Sequence, residues 1–438
     1  MKILKNTLFA FGLLACTVLT TSCSKDSTAP ISSDVTTYSA DVVTSWIAMQ
    51  VKLVQITTVS PALPPRRFAY TGIALYESIV PGLAGYKSIA PQLNGLPALP
   101  TVTPNATYYW AASANAALAA MARNFYSTTS AANLASIDSL ENANLAIFKT
   151  ASTTEELTRS VDFGKKIAAA IFDWSKTDGN DDATPYTVPT GVGLWVPTPP
   201  ALAAPALPNW GKCRQIVIGS DAGADQGAST AYSTDPSSAY FAQVKEVFDI
   251  SQSLTAEQKA IALFWADNPD GKSFSAAHWL NILNQIMAIQ KPKLDLAAVA
   301  YAQLGITMSE ANISLFKAKY KYNGLRPITY IRSVMNQPTW NSLITTPAHP
   351  EYPSGHATVS GSAAQTLTLL FGANYKFTDT SYNFLGFSPR TYNSFEEAAI
   401  EAGNSRVYAG IHYRKSCDAS QLQGKAIANN ISQKVRFK

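Results

Sequence analysis

Three short segments in the last third of the chain carry residue types that suit chemistry on a tetrahedral oxyanion. They are Lys319-Tyr-Lys-Tyr-Asn-Gly-Leu-Arg326-Pro327, Pro353-Ser354-Gly355-His356, and Ser405-Arg406 with His412 following after five residues. An oxyanion with two or three charges needs cations, hydrogen-bond donors and exclusion of water. Arg326 and Arg406 offer forked donors that match a pair of anion oxygens, and Lys319 offers a compact charge. Ser354 precedes a strongly helical run, His356 to Phe371, which places Ser354, Gly355 and His356 at a helix N-terminus. There the free N–H groups and the helix dipole favour an anion, and Gly355 lets the backbone come close. Of two histidines, one can bond to the central atom and the other can move a proton. Each fragment alone is commonplace; the signal lies in their order and spacing.

The elements that must position these residues read as helical. Apolar periodicity marks helices at Tyr38–Gln55, Arg67–Ile79, Asn105–Tyr126, Ala131–Thr150 and Thr154–Trp174, the last with a capping box at Thr153-x-x-Glu156. Helices resume at Ser237–Ser251, Thr255–Trp265, Ser275–Lys291 and Leu294–Tyr320. Between the two sets, residues 178–236 are rich in Pro, Gly and Ser and read as a long surface excursion over the site mouth or an interface. Strand-like alternation is scarce. The expectation is an all-α protein of two packed helical bundles, residues 37–177 and 237–438, joined by that irregular region, with the oxyanion site in the second bundle.

The chain has 438 residues, 47% of them apolar and 14% charged, enough for a sizeable core. Its net charge of +5 is spread thinly, with no Lys/Arg run dense enough for a nucleic-acid groove. Lys2 and Lys5, the apolar run Leu8–Leu19 and then Thr20-Thr21-Ser22-Cys23 resemble a bacterial lipoprotein signal. That pattern implies removal of residues 1–22, a lipid on Cys23, a flexible tether over 23–36, and a place in the cell envelope, on the periplasmic face of the outer membrane or at the cell surface. An ordinary secretory signal with an incidental cysteine is the plainer reading. No later stretch is apolar enough to span a membrane. Cys213 and Cys417 either pair or stand as two buried thiols.

Taken together, K-x6-R-P, P-S-G-H and S-R-x5-H resemble the motif set of the superfamily of type-2 phosphatidic acid phosphatases, bacterial class A acid phosphatases and vanadium-dependent haloperoxidases. The resemblance implies that His412 bonds to vanadium or attacks phosphorus, that His356 is the acid–base residue, and that Lys319, Arg326, Ser354, Gly355 and Arg406 hold the oxygens. Three features resemble the haloperoxidase branch: the absence of membrane spans, about 300 residues of helical chain before the motifs, and Phe264-Trp265-Ala266-Asp267 followed by His278-Trp279-Leu280-Asn281. The last implies that Asp267 pairs with Arg406, whereas His278, on a Trp-rich helix, reads as structural. His349, seven residues before His356, resembles bromoperoxidases and implies a second imidazole near bound peroxide; as a loop histidine between Pro347 and Pro350 it has an equally plain reading.

One departure stands out. Where many relatives have an Asp four residues after the bonding histidine, this chain has Ser416, and the acid comes later as Asp418. Either Asp418 reaches the ring, or Ser416 or a carbonyl orients it. The activity implied is oxidation of bromide or iodide by hydrogen peroxide with vanadate as cofactor and Lys319 polarising the peroxide. The alternative is a secreted acid phosphatase, needing no cofactor, that acts on a phosphoester through a phosphohistidine at His412. An anion-binding protein without turnover ranks last, because both histidines are present. Oligomeric state is open.

Overall fold

The computed structural model describes residues 34–57, 62–267 and 277–438. The signal segment, Cys23 and all but the end of the tether lie outside these residues. Among the described residues, five helices come first: α1 (Asp41–Ile56), α2 (Leu63–Glu77), α3 (Trp110–Phe125), α4 (Ala131–Phe148) and α5 (Thr154–Ser175). After residues 178–236 follow α6 (Ala239–Gln252), α7 (Ala256–Phe264), α8 (His278–Gln290), α9 (Leu294–Tyr322), α10 (Pro327–Ser333), α11 (Gly355–Phe371), α12 (Phe395–Tyr408) and α13 (Arg414–Lys434). A small antiparallel pair, β1 (Phe377–Asp379) and β2 (Arg390–Tyr392), sits between α11 and α12, with Phe377 opposite Tyr392. The all-α expectation holds, and α10, α12, α13 and the hairpin are additions to it.

The helix starts are set by side-chain caps. Ser130, Thr153, Ser238, Thr255 and Ser394 each accept a bond from the backbone N–H three residues on. At Thr153 the acceptor half of the expected box forms, with Glu156 N at 3.2 Å. The reciprocal box forms instead at Thr255, where Gln258 returns a bond to the cap N–H. α8 and α9 end on Lys291 and Asn323, both in the left-handed region.

α9 is buried on nearly every face, the mark of a helix enclosed by others. α2 packs along one side of it, α11 and α13 along another, and α8 beside them. One apolar cluster therefore runs from Val35 to Val435 through both sets of helices. No described helix is long and apolar enough to cross a membrane.

Residues 178–236 contain no α-helix among them, only a short turn of helix at Trp210–Lys212. They are nonetheless pinned rather than merely superficial. Asp178 pairs with Arg66 at 2.6 Å, Trp195 N donates to Asn323 O at 2.8 Å, and Ala206 N donates to Ala348 O at 2.7 Å. Ile216 N and Ser220 Oγ both donate to the buried Glu310 of α9. Trp195 and Trp210 are buried. None of these residues lines the cavity at the helix ends; they tie to the C-terminal end of α9 at Asn323 and to the loop at Ala348. Cys213 and Cys417 are two free, buried thiols.

The α11–α13 crossing sets the distance between two motif segments. A Cβ at Gly361 of α11 meets the Gln421 carbonyl at 2.5 Å, and one at Gly424 of α13 collides with the Thr358 carbonyl. Gly424→Ala must push the helices apart. We expect a loss of about 1–3 kcal/mol in denaturant unfolding.

Candidate active site

The segments converge because each lies at the end of a helix aimed at one point. Lys319 sits in the last turn of α9, Arg326 caps α10 ahead of Pro327, Ser354 caps α11, and Arg406 closes α12. His412 stands in the turn between α12 and α13, where Gly410 takes a positive φ of 79°. The cavity they enclose has a volume of about 580 Å³. The chain has four histidines, and all four, His278, His349, His356 and His412, line it.

His412 is held by a residue that the sequence reading missed. Its Nδ1 lies 2.8 Å from Oε1 of buried Glu351, whose Oε2 accepts from Ser416 Oγ at 3.0 Å. On the other side Arg326 Nη1 donates to Nε2 at 3.1 Å. An arginine can only donate, so Nε2 carries the lone pair and Nδ1 carries the proton. Burial, then the charges of Arg326 and Lys319, hold the ring's pKa well below the usual imidazole value. His412 is thus neutral with Nε2 basic. Asp418 does not serve it: α13 turns positions 416, 417 and 420 inward and leaves 418 exposed beside Arg414. The signal for Glu351 was the loss of the usual acid at 416 together with a carboxylate set among Pro350, Tyr352 and Pro353.

Three cations are buried at this point, Lys319, Arg326 and Arg406. Lys319 Nζ donates to the carbonyls of Pro350 (2.8 Å), Glu351 (3.2 Å) and Pro353 (2.5 Å), which uses its three N–H bonds. Burial and the Arg326 charge pull its pKa well below the usual lysine value, but three acceptor-only carbonyls call for three N–H bonds, so it stands as an ammonium whose contribution to an anion here is charge more than a free donor. Arg326 also donates to the carbonyls of His349 (3.0 Å) and Ile411 (2.8 Å) and to His349 Nδ1 (3.1 Å). His349 is therefore an acceptor at Nδ1. Burial, Lys319 and Arg326 hold its pKa well below the ordinary range, so it is neutral. Ser354 Oγ accepts from Ala357 N at 3.5 Å and its own N–H goes to Ser420, so Ser354 builds the helix start behind the cavity wall.

Arg406 differs from the other two. Nη1 donates to the Trp265 carbonyl at 2.8 Å, while Nε and Nη2 are buried with no partner. The expected pairing with Asp267 is corrected. Asp267 turns its Oδ2 to His356 Nε2 (3.3 Å) and its Oδ1 to His278 Nδ1 (3.4 Å), and it accepts from Tyr382 Oη. It acts on Arg406 only as a nearby charge. Burial and then Arg406 lower the pKa of His356, against the pull of Asp267. Since ionised Asp267 can only accept, His356 carries its proton on Nε2 and is basic at Nδ1.

A tetrahedral anion fits these residues on three counts. Two buried guanidinium nitrogens of Arg406 lack partners. A Cβ at Gly355 would meet nothing within 4 Å, so the start of α11 is open to the cavity. The first N–H groups of α11 have no partner within the helix. Among the described residues no three His, Cys, Asp or Glu side chains form a metal cage.

Helices packed round a buried helix, with three buried cations and four histidines gathered at their ends, define the class as an all-helical enzyme scaffold. The model of the vanadium chloroperoxidase second helical-bundle domain matches residues 299–437. The chain is 30% identical to the first bacterial vanadium-dependent iodoperoxidase, over 91% of this chain and 97% of that one, with a TM-score of 0.83. The holo and apo forms of a bacterial vanadium-dependent chloroperoxidase share the fold, at 16% and 15% identity and TM-scores of 0.65 and 0.66; each comparison covers 87% of this chain, and 93% and 95% of theirs. None of the curated proteins matches. The chain belongs to the vanadium-dependent haloperoxidase family.

If Glu351 is what orients His412, Glu351→Gln should weaken orthovanadate binding by about 10–100-fold, read by calorimetry on the folded protein, while Asp418→Asn leaves it unchanged. Equal affinities in the two variants would remove Glu351 from this role.

Proposed function

We propose that the protein oxidises iodide or bromide with hydrogen peroxide to hypohalous acid, with vanadate as its cofactor. The observation that carries this reading is the ring of His412, neutral and fixed on Glu351, with its Nε2 lone pair turned into a cage of three buried cations. That lone pair is the one protein bond the central atom of vanadate requires. Arg406, Arg326 and the start of α11 supply donors to its oxygens, with Lys319 adding charge. Vanadate bound there supplies Lewis acidity that makes peroxide oxygen electrophilic toward a halide.

The protein's own part is electrostatic and protonic. The reaction, H2O2 + halide + H+ giving hypohalous acid and water, needs a group that takes and returns protons. His356 is suited to this: Asp267 holds Nε2–H, so Nδ1 receives a proton from incoming peroxide. Its lowered pKa keeps it in the accepting form at mildly acidic pH. Leu315, Phe316, Ile344 and Ile411 give the cavity an apolar wall, which suits a large, weakly hydrated halide, as does the likeness to an iodoperoxidase. His349 holds Arg326 through Nδ1 and meets the Phe316 ring at 5.7 Å, so we assign it to tuning halide choice.

Reconstitution with orthovanadate, followed by iodide- and bromide-dependent halogenation and a parallel phosphoester assay on vanadate-free protein, tests the reading. Vanadate-dependent halogenation is expected. Phosphoester hydrolysis that vanadate inhibits, without halogenation, would assign the cage to a phosphohistidine mechanism. His412→Ala should abolish halogenation with helix content intact by circular dichroism. His349→Phe should change the ratio of bromide to iodide rates; an unchanged ratio would leave His349 a loop residue.

A further inference from the structure

His278, read from the sequence as structural, lies in an arrangement that packing alone does not require. It begins α8, fully buried, with its ring 4.4 Å from that of Trp265 and 4.9 Å from that of Tyr382. Nε2 is 2.7 Å from Oδ2 of Asp379 and Nδ1 is 3.4 Å from Oδ1 of Asp267, the second an ion contact longer than a good hydrogen bond. Nε2 faces an acceptor-only carboxylate and so carries a proton, and Nδ1, which makes no hydrogen bond, lies in the field of the Asp267 carboxylate, which favours a second proton there. Burial alone would neutralise it, but Asp379 and then Asp267 outweigh burial and push its pKa up to about 10. Asp379 is fixed in turn by Ser381 N at 2.9 Å and Gln285 Nε2 at 3.3 Å. Asp267 is the shared member, touching His278 with one oxygen and His356 with the other.

We propose that Asp379, His278 and Asp267 form a charge relay behind His356, in which His278 is a positioning residue that aims Asp267 and sets how strongly His356 holds a proton. The groups that bear on His278 are Asp379 from β1, Tyr382 beyond it, Asp267 after α7, and more distantly His356 of α11. The imidazolium takes up part of the field of Asp267. Without it that field falls on His356 and strengthens it as a base; without Asp267, His356 weakens.

The signs give the test. His278→Gln should move the acid limb of the pH profile of halogenation to higher pH, by about tenfold in proton concentration. Asp379→Asn should move it the same way, and Asp267→Asn the opposite way. A role in packing alone would lower rate and melting temperature in all three with the limb unmoved, and that outcome would overturn the relay. The turnover arm rests on the haloperoxidase reading, so a second arm uses vanadate-free protein and nitrogen NMR of its four histidines, assigned by single substitutions. Both ring nitrogens of His278 should stay protonated from about pH 5 to 8. A neutral His278 in that range would overturn the proposal even if halogenation is found. A cationic His278 in a protein without halogenation would uphold the charge relay and count against the function instead.

Discussion

Burying three cations within one cavity wall is the constraint on which the rest of this structure depends. Removing an ammonium or a guanidinium from water costs several kcal/mol each unless its donors are met. Here backbone carbonyls meet most of them. Lys319 is bonded to Pro350, Glu351 and Pro353, Arg326 to His349 and Ile411, and Arg406 to Trp265. Pro347, Pro350 and Pro353 fall in the same loop, and a proline offers a carbonyl with no N–H of its own to satisfy. The loop is thus acceptor-rich, a solvent substitute for Lys319 and Arg326. The same bonds tie α9, α10 and the α12–α13 turn to one another, so the charge cluster also sets the geometry of the motif segments.

With the cations in place, the histidines divide by the carboxylates they meet. Glu351 fixes the tautomer of His412, while burial and then the charges of Arg326 and Lys319 keep that ring neutral. Asp267 serves His356, again beside a cation, Arg406. His278 lies between two carboxylates, Asp379 and Asp267, whose charges outweigh burial and raise its pKa. His349 has none and serves Arg326 as an acceptor. What His412 requires is a carboxylate at Nδ1, and its position in sequence is immaterial. Ser416 and Glu351 together do what one acid four residues after the histidine would do, the hydroxyl of Ser416 holding the carboxylate in place.

This explains what could be read from the sequence and what could not. Lys319 with Arg326, Ser354 to His356, and Arg406 with His412 are each local in the chain, so their spacing is visible. Glu351 meets His412 across 61 positions, and nothing in either segment encodes that meeting. Asp267 could be placed near the site, but whether His356 or Arg406 takes its oxygens depends on where Tyr382 and His278 stand. Among the helices, α9 and α11 carry apolar faces and were legible. The inner face of α12 is largely Ala and Gly, such as Ala398, Ala402 and Gly403, chosen for close approach rather than for hydrophobicity, so it shows little apolar period, and α13 buries Ser416, Ser420, Gln423 and Gly424 alongside only a few strongly apolar residues, Ile427 and Ile431. Residues 178–236 look like surface in composition because the chain there is fixed by separate anchors, Asp178, Trp195 and Trp210, with no periodic face.

The distribution of free donors shows how such a site can be both stable and ready. Lys319 and Arg326 are satisfied by the protein, so most of the cluster needs nothing further to exist. Arg406 keeps two unpartnered nitrogens, and the first N–H groups of α11 have no acceptor within the helix, Ala357 N being capped by Ser354 Oγ. An anion entering the cavity therefore meets donors there without breaking a protein bond. Arg326 Nη1 is different, because its bond to His412 Nε2 uses the very lone pair that a bond to the anion's central atom needs. Committing that lone pair elsewhere releases Nη1 as a donor. A bond from His412 to an anion's central atom and the recruitment of Arg326 would then be one event, so a ligand that merely carries negative charge would engage less of the cage than one whose centre can accept the imidazole.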